Sequence, residues 1–173
     1  MCTGNICRSP AIERLLAARL PDVEVDSAGT RAVVGGAISP PMARLIESAG
    51  GSADGFAGRQ LTPRLLTGLD LVVVATRAHR TAVVQFAPRL VRRTFTLLEL
   101  ARLLSVAELP EGTPAERLHA LPAAAARSRG HVPHGDDDII DPIGRSGAAY
   151  RQSFGQLLPA VETLAGALTG GRS

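Results

Sequence analysis

The sequence of 173 residues contains no lysine, so arginine supplies its entire fixed positive charge. Without lysine, Schiff-base catalysis and the phosphate loop of Walker-type nucleotide hydrolases are excluded. Tryptophan is also absent, Tyr150 is the only tyrosine, and aromatic residues make up 3% of the chain. A surface on which nucleic-acid bases stack is hard to build from so few aromatic rings. We therefore expect neither a pyridoxal enzyme nor an ATPase, and no nucleic-acid partner.

Cysteines are few, and long apolar runs are missing. Cys2 and Cys7 lie too close together in the chain to form a long-range disulfide framework, which favours a reducing compartment. No apolar run reaches the length of a membrane span, and the first residues lack the basic start and apolar stretch of a secretory signal. The sequence predicts a cytoplasmic protein without a membrane partner, and it leaves the oligomeric state open.

Apolar residues make up 45% of the chain, which is enough for one domain with a buried core. The spacing of apolar residues, together with Ser, Thr, Pro and Gly at helix ends, predicts helices over 9–20, 39–50, 77–87, 98–104, 114–128 and 147–168. Ser9 is placed at the capping position of the first helix, and a shorter helix should follow Thr62-Pro63. Strands are predicted over Val23–Ser27, Leu69–Ala75 and Thr94–Leu98.

Strands that alternate with helices are typical of a three-layer α/β/α fold with a small central parallel sheet. The unbroken apolar run Leu71–Val74 marks a strand covered on both faces. The stretch from about 105 to 135 is rich in Ala, Pro and Gly, and we expect an excursion on the surface there. In this fold the phosphate loop follows a central strand, but only Met1 precedes Cys2, so the first strand is expected to be missing from this sequence.

The segment Cys2–Pro10 carries the strongest chemical signal. Its small, turn-prone residues lead into a helix start, where unpaired N–H groups and a partial positive charge favour an anion of phosphate geometry. Arg8 can bind two phosphate oxygens at once through its planar guanidinium. Cys2 lies in the same positive field, which favours a thiolate near neutral pH. The loop therefore predicts attack of a thiolate on phosphorus.

A leaving group also needs a proton. Asp141, held before Pro142, is the candidate general acid, and Asp138 is the nearest alternative. The run Asp136–Asp138 is interpreted as a solvated charge cluster, and because no His or Cys stands at metal spacing around it, we expect neither metal nor cofactor. The four histidines are scattered, and surface or capping positions are predicted for His79, His119, His131 and His134.

Five motifs, in this order, closely resemble the low-molecular-weight protein tyrosine phosphatase family: Cys-Thr-Gly-Asn-Ile-Cys-Arg-Ser-Pro at 2–10, Ser-Ala-Gly-Thr at 27–30, Arg-Gln-Leu at 59–61, Asp70 before an apolar strand, and Asp141-Pro142. The resemblance covers nearly the whole chain 1–173 as one domain, apart from about 105–135, which is interpreted as an insertion. It implies that Cys2 is the nucleophile, Arg8 binds the phosphoryl group and Asp141 is the general acid.

The resemblance also implies roles for the rest of the loop. The phosphate would be bound by Thr3, Gly4, Asn5, Ile6, Cys7, Arg8 and Ser9. Asn5, Ser9 and Ser27 would hold the loop in shape, and Ser9 would hydrogen-bond the leaving thiolate. Cys7 matches the second loop cysteine of the family, which can form a reversible disulfide with the nucleophile.

Three positions bear on specificity. Ile143-Gly144 stand where tyrosine-directed members carry aromatics, and Phe56 stands where some members have a loop-binding His. Ile6 resembles the tyrosine-directed members, whereas members resembling protein arginine phosphatases have Thr. The first hypothesis is hydrolysis of phosphotyrosine in proteins through a phosphocysteine intermediate. The alternatives are an arsenate reductase, which would need an external thiol, a phosphoarginine phosphatase, and a catalytically silent phosphate-binding module.

Overall fold

The structure, a computed structural model, describes residues 1–171. Its helices are α1 (Arg8–Arg19), α2 (Pro40–Ser48), α3 (Arg77–Phe86), α4 (Leu97–Leu104), α5 (Pro114–Ser128) and α6 (Gly147–Thr169), and its strands are β1 (Val72–Val74) and β2 (Thr94–Thr96). Short 3-10 turns lie at Pro63–Leu66, Pro88–Leu90 and Arg129–His131. The six longer helices and two of the three predicted strands are confirmed. In residues 1–171 no helix combines the length and the apolar character needed to cross a bilayer.

Helices pack against a small parallel sheet, which agrees with the predicted α/β class. Strands β1 and β2 pair in parallel, with Val73 opposite Phe95. Val72 and Val74 pack with Val83 of α3 in one cluster, while Phe95 is buried in a second cluster built from α1, α2, α4, α5 and α6. The regular sheet of the described residues has two strands, and it is extended only by isolated parallel bridges from Cys2 to Gly29 and from Gly29 to Gln60.

The strand predicted over Val23–Ser27 is wrong. The segment is irregular, and it is Gly29, just after it, that forms β-bridges to Cys2 on one side and to Gln60 on the other. Its N–H donates to Arg59 O, and its own carbonyl accepts from Leu61 N. A Cβ at Gly29 would lie 2.3 Å from Thr3 O, so a larger residue would push the phosphate loop away. The alternation in the sequence correctly shows a half-buried segment, but a strand also needs a hydrogen-bonded partner along its length.

Met1 and Cys2 lie between β1 and Gly29. The Met1 nitrogen is 2.6 Å from Val73 O, Ala75 N donates to Met1 O, and Thr30 N donates to Cys2 O. Met1 is thus hydrogen-bonded to β1 on one side and Cys2 to Thr30 on the other, so this pair of residues resembles the carboxyl end of a central strand. No strand is assigned before Cys2 in the described residues. A groove of about 550 Å³ lies alongside, bounded by the segments 22–28 and 69–73.

The stretch 105–135 is mostly exposed, as predicted for a surface excursion, but one face of helix α5 is buried and departs from that prediction. The helix begins with a capping box, in which Thr113 and Glu116 satisfy each other's backbone N–H groups. Leu121 and Ala125 are fully buried in the main core. Small alanine side chains let α5 pack closely against α4 and α6, and composition alone did not reveal this packing.

Candidate active site

The loop between Cys2 and α1 is irregular over residues 3–7, and α1 begins at Arg8 with Cys7 as its N-cap residue. The prediction that Ser9 caps this helix is wrong. Ser9 lies in the first turn, and its Oγ is 2.9 Å from Cys2 Sγ. Asn5 adopts a φ of 53°, a left-handed conformation that asparagine tolerates better than most residues do. The loop thus reverses direction over a few residues, and the Ser9 hydroxyl lies against the Cys2 thiol.

In the loop, backbone carbonyls are hydrogen-bonded to other segments, whereas backbone N–H groups are left unpaired among residues 1–171. Its carbonyls are used by neighbouring segments: Thr3 O accepts from Arg31 N, Gly4 O from Val33 N and Ile6 O from Ser39 N. The N–H groups of residues 3–7 donate to no carbonyl within the described part of the chain. Unpaired amides that lead into a helix start form a site for an anion. The loop can therefore bind the oxygens of a phosphoryl group.

A buried network fixes the centre of the loop. Asn5 Nδ2 donates to Ser9 Oγ at 3.0 Å and to Ser27 Oγ at 2.7 Å, while Asn5 Oδ1 accepts from Arg59 N at 2.7 Å. Ser27 Oγ in turn donates to Glu13 Oε2 at 2.5 Å. The structure thus brings Asn5, Ser9 and Ser27 together. Sequence reasoning missed Glu13, although it lies one helical turn after Ser9 on the same face of α1.

The two cysteines differ in their surroundings. Cys2 is buried at the start of the loop beside the Ser9 hydroxyl. Cys7 is also buried, and burial raises the pKa of its thiol to about 12. Cys7 is therefore protonated at physiological pH. The Cys7 thiol packs in the main core, whereas the Cys2 thiol contacts the Ser9 hydroxyl in the first turn of α1.

Arg8 and Asp141 meet across the fold. The Arg8 side chain is 5% exposed, donates from Nη1 to Ile139 O at 3.1 Å, and pairs through Nη2 with Asp141 Oδ2 at 2.5 Å. Its Nε is buried and has no hydrogen-bond partner among residues 1–171. A buried guanidinium N–H next to unpaired amides is a ready donor for an anion oxygen. Asp141 is 46% exposed, so a substrate can reach its carboxyl group.

The rest of the acidic loop has other partners. Asp138 Oδ1 accepts from Arg77 N at 2.8 Å, at the first residue of α3. Asp137 is buried and pairs with Arg77 and Arg102, so the interpretation of a solvated cluster is wrong for this residue. Two arginines from separate elements compensate the buried charge. Within residues 1–171, no group of three or more His, Cys, Asp or Glu side chains is arranged to hold a metal ion.

His79 contradicts its predicted surface or capping position. The side chain is buried, with Nε2 2.9 Å from Thr3 Oγ1 and Nδ1 2.7 Å from Thr76 Oγ1. Burial, followed by the positive charge of Arg8, lowers the pKa of His79 to about 4, so the ring is neutral at physiological pH. The missed signal was its place just after a buried parallel strand, where functional loops gather. His119, His131 and His134 are exposed, or largely so, as predicted.

Exposed aliphatic side chains lie next to both loops of the site, and we call Ile143, Val33 and Val34 its aliphatic rim. Ile143 is exposed beside Asp141, whose Oδ1 accepts from Ile143 N. Val33 and Val34 are exposed too, and Val33 N donates to Gly4 O of the loop. The ring of Phe56 lies 5.4 Å from the Arg14 guanidinium in a cation–π contact, not on the loop.

Comparison with known proteins agrees with this geometry. The family model described as "Low molecular weight phosphotyrosine protein phosphatase" matches residues 1–111, a stretch that ends before Asp141. The chain is 40% identical over 94 residues to the low molecular weight protein-tyrosine-phosphatase Etp of Escherichia coli strain K12. That alignment covers 54% of this chain and 64% of Etp, so it spans less than two thirds of that relative.

Solved structures extend the similarity to most of the chain. The crystal structure of the tyrosine phosphatase AmsI from Erwinia amylovora superposes with a TM-score of 0.71 at 26% identity, covering 96% of this chain and 88% of AmsI. The YwlE arginine phosphatase from Geobacillus stearothermophilus superposes with a TM-score of 0.70 at 27% identity, covering 95% and 86%. The fold is thus shared by phosphatases directed at two different amino acids.

Proposed function

The chain belongs to the low molecular weight phosphotyrosine protein phosphatase family, and from that membership we propose that it hydrolyses phosphotyrosine monoesters in proteins. The observation that carries the proposal is the convergence of three groups. The Cys2 thiol, the unpaired amides of residues 3–7 and the Arg8 guanidinium lie in one loop, and Asp141 contacts Arg8. Nucleophile, anion donors and a proton donor are the parts that a two-step phosphoryl transfer needs.

In the proposed first step, the Cys2 thiolate attacks phosphorus while the loop amides and Arg8 stabilise the equatorial oxygens. The bond between phosphorus and the tyrosine oxygen breaks, and Asp141 gives its proton to that oxygen. The products are a phosphocysteine and free tyrosine in the protein substrate. Phosphoryl oxygens replace the Asp141 carboxylate on Arg8, so substrate binding also separates Asp141 from its partner.

In the second step, the Asp141 carboxylate accepts a proton from water as the water oxygen attacks phosphorus. Inorganic phosphate forms, and the bond between phosphorus and sulfur breaks to regenerate the Cys2 thiolate. The Ser9 hydroxyl, 2.9 Å from Cys2 Sγ, stabilises this leaving thiolate by a hydrogen bond. The chemistry draws on residues of the chain alone, so no cofactor is assigned.

The test is phosphate release from a phosphotyrosine peptide and from p-nitrophenyl phosphate. We expect turnover of both. Binding of inorganic phosphate without turnover of either substrate would contradict the proposal and leave a silent phosphate-binding module. Arsenate reduction requires a relay of thiols that react one after another. Cys7 is the only cysteine of this chain besides Cys2, so an arsenate reductase activity would need an external thiol partner.

Phosphoarginine is the second candidate substrate, because the site has an aliphatic rim and the YwlE arginine phosphatase shares the fold. Position 143 is isoleucine, so it offers no aromatic ring to pack against the ring of a phosphotyrosine. Ile6 favours tyrosine. Comparing kcat/KM for a phosphotyrosine peptide and a phosphoarginine peptide of the same flanking sequence decides between them, and a higher value for phosphoarginine would reassign the substrate class.

We expect Arg8→Lys to lower kcat/KM by about 10- to 10²-fold, because an ammonium cannot replace the forked guanidinium. The substitution also removes the contact with Ile139 O. Steady-state kinetics on p-nitrophenyl phosphate measure the loss. Arg14→Lys, which changes a partly exposed arginine of the same helix, is the matched control. Equal rates in Arg8→Lys and Arg14→Lys would remove Arg8 from the site.

Mild hydrogen peroxide is expected to join Cys2 to Cys7 and stop turnover, and dithiothreitol is expected to restore it. Peroxide oxidises the Cys2 thiolate to a sulfenic acid. Cys7 Sγ then attacks that sulfur, and the proton of Cys7 leaves with the hydroxyl group as water when the disulfide forms. Mass spectrometry of peptides digested without reductant identifies the linked pair. Detection of only sulfinic or sulfonic acid on Cys2, with Cys7 unmodified, would contradict the prediction.

The proposal extends to the organisation of the chain. We infer one phosphatase-like domain, with the stretch of about 105–135 as an insertion whose helix α5 joins the core. Protein substrates with phosphotyrosine are the proposed partners. The cytoplasmic location expected from the cysteines stays a prediction.

A further inference from the structure

The first turn of α3 contacts both loops that carry the proposed chemistry. His79 reaches the phosphate loop, with Nε2 2.9 Å from Thr3 Oγ1. Two residues earlier, Arg77 donates its backbone N–H to Asp138 Oδ1 at 2.8 Å, and its Nη2 lies 3.3 Å from Asp137 Oδ2. One helical turn therefore touches the loop that holds Cys2 and the loop that holds Asp141.

His79 is tied to its own helix as well as to the loop. Its Nδ1 lies 2.7 Å from the hydroxyl of Thr76, the N-cap residue of α3, and its backbone N–H donates to the same oxygen at 3.3 Å. The side chain is 7% exposed. A neutral imidazole has one N–H and one lone pair, so it bridges two hydroxyl groups in either tautomer. The ring is therefore a fixed link between Thr76 and Thr3.

Thr3 lies outside the network that fixes the centre of the loop. Asn5 binds Ser9, Ser27 and the backbone of Arg59, all beyond Thr3 in the loop or in other segments. The Thr3 carbonyl accepts from Arg31 N, but its side chain has His79 as its hydrogen-bond partner in the described residues. The amides next to Cys2 thus depend on His79 for their side-chain anchor.

We propose that His79 is a positioning residue of the phosphate loop, which fixes Thr3 and the first loop amides at the place where the phosphoryl group and Asp141 meet. The inference rests on the proposed function, since this position matters for turnover only if the loop binds a phosphoryl group. A misplacement of about 1 Å in such a site can cost about 10²-fold in rate. His79 acts through Thr3 and takes no part in the proton transfers.

Substitution of His79 by asparagine or by glutamine removes one of the two hydrogen bonds of the ring at a time. Asparagine at position 79 places its amide near the former Nδ1 and keeps the contact with Thr76, whereas glutamine reaches the former Nε2 and keeps the contact with Thr3. We expect His79→Asn to weaken vanadate binding and lower kcat/KM for p-nitrophenyl phosphate by about 10- to 10²-fold. His79→Gln should stay close to wild type. His119→Asn, at an exposed histidine, is the matched control.

Thr3→Val tests the route of this effect, because it removes the hydroxyl and keeps the shape of the side chain. If His79 acts through Thr3, the double variant with His79→Asn binds vanadate no more weakly than the worse single variant. Additive losses overturn the proposal. An unchanged vanadate affinity in His79→Asn with a lowered melting temperature also overturns it, because His79 would then only support α3.

An NMR measurement keeps this proposal separate from the proposed function. In isotope-labelled protein without added anion, the Thr3 and Gly4 amide resonances are expected to shift or broaden in His79→Asn and to stay in place in His79→Gln. Unchanged Thr3 and Gly4 resonances in His79→Asn overturn the positioning role whatever the activity. Titration of wild type with inorganic phosphate tests the loop itself: if its amides do not shift, the proposed function fails while the result on His79 stands.

Discussion

Cys2→Ser is expected to abolish turnover and to leave binding of inorganic phosphate intact. A serine hydroxyl has no activating base in this loop, because its neighbour Ser9 is another hydroxyl group. The unpaired amides of residues 3–7 and the Arg8 guanidinium do not depend on the sulfur atom, so the anion site survives. Rates on p-nitrophenyl phosphate and calorimetry with phosphate measure the two properties independently.

Cys7→Ser is the natural comparison, because Cys7 is a second buried thiol in the same loop. Its thiol has a pKa raised to about 12 by burial, so it supplies no thiolate near neutral pH. We expect this variant to retain turnover and to lose recovery after oxidation, since Cys2 would have no thiol with which to pair. Undiminished turnover in Cys2→Ser, or loss of turnover only in Cys7→Ser, would reassign the nucleophile.

The parts of this fold that could be predicted are those with local signals. The six helices follow from apolar spacing and helix-end residues, and the phosphate loop follows from the contiguous run Cys2–Pro10. Val23–Ser27 failed because its alternation reports one buried face, whereas a strand also requires a partner along its length. Helix α5 was predicted at the right place, but its burial was missed because that burial depends on α4 and α6.

Site residues that are close together in one sequence motif could be predicted. Those that meet only through contacts between distant segments could not. Cys2, Asn5, Arg8 and Ser9 lie together in sequence, and the structure keeps them together. His79 and Thr3 lie 76 positions apart, and nothing in either segment shows that the two side chains meet. Asp137 looked like part of a solvated run because Arg77 and Arg102, which neutralise it, belong to other elements.

Asp141→Asn is expected to slow hydrolysis of phosphotyrosine by about 10²- to 10⁴-fold, the usual contribution of a general acid. Asp141 lies beyond residues 1–111 matched by the family, so its assignment depends on its place in the fold, 2.5 Å from Arg8 Nη2. Tyrosine is a poor leaving group that needs a proton. In aryl phosphates with electron-poor phenols, the phenolate can leave without a proton. The Asn variant should therefore lose far less activity on these substrates.

Asp138→Asn is the matched control for this prediction, because an asparagine Oδ1 still accepts from Arg77 N at the start of α3. We expect it to behave like wild type on good and poor leaving groups alike. If the dependence on the leaving group appears in Asp138→Asn instead, Asp138 is the acid. If it appears in neither variant, the acidic loop holds no general acid.

The pH profile gives an independent check on Asp141. A general acid works only while it is protonated, so a fall in phosphotyrosine turnover at high pH is the signature expected of a proton donor. His79 is not a source of this limb, because its pKa of about 4 leaves the ring neutral at all higher pH values. In Asp141→Asn the proton donor is gone at every pH, so the high-pH limb should vanish and the rate should stay low and flat. A limb of unchanged position in both Asp141→Asn and Asp138→Asn would place the titrating group outside the acidic loop.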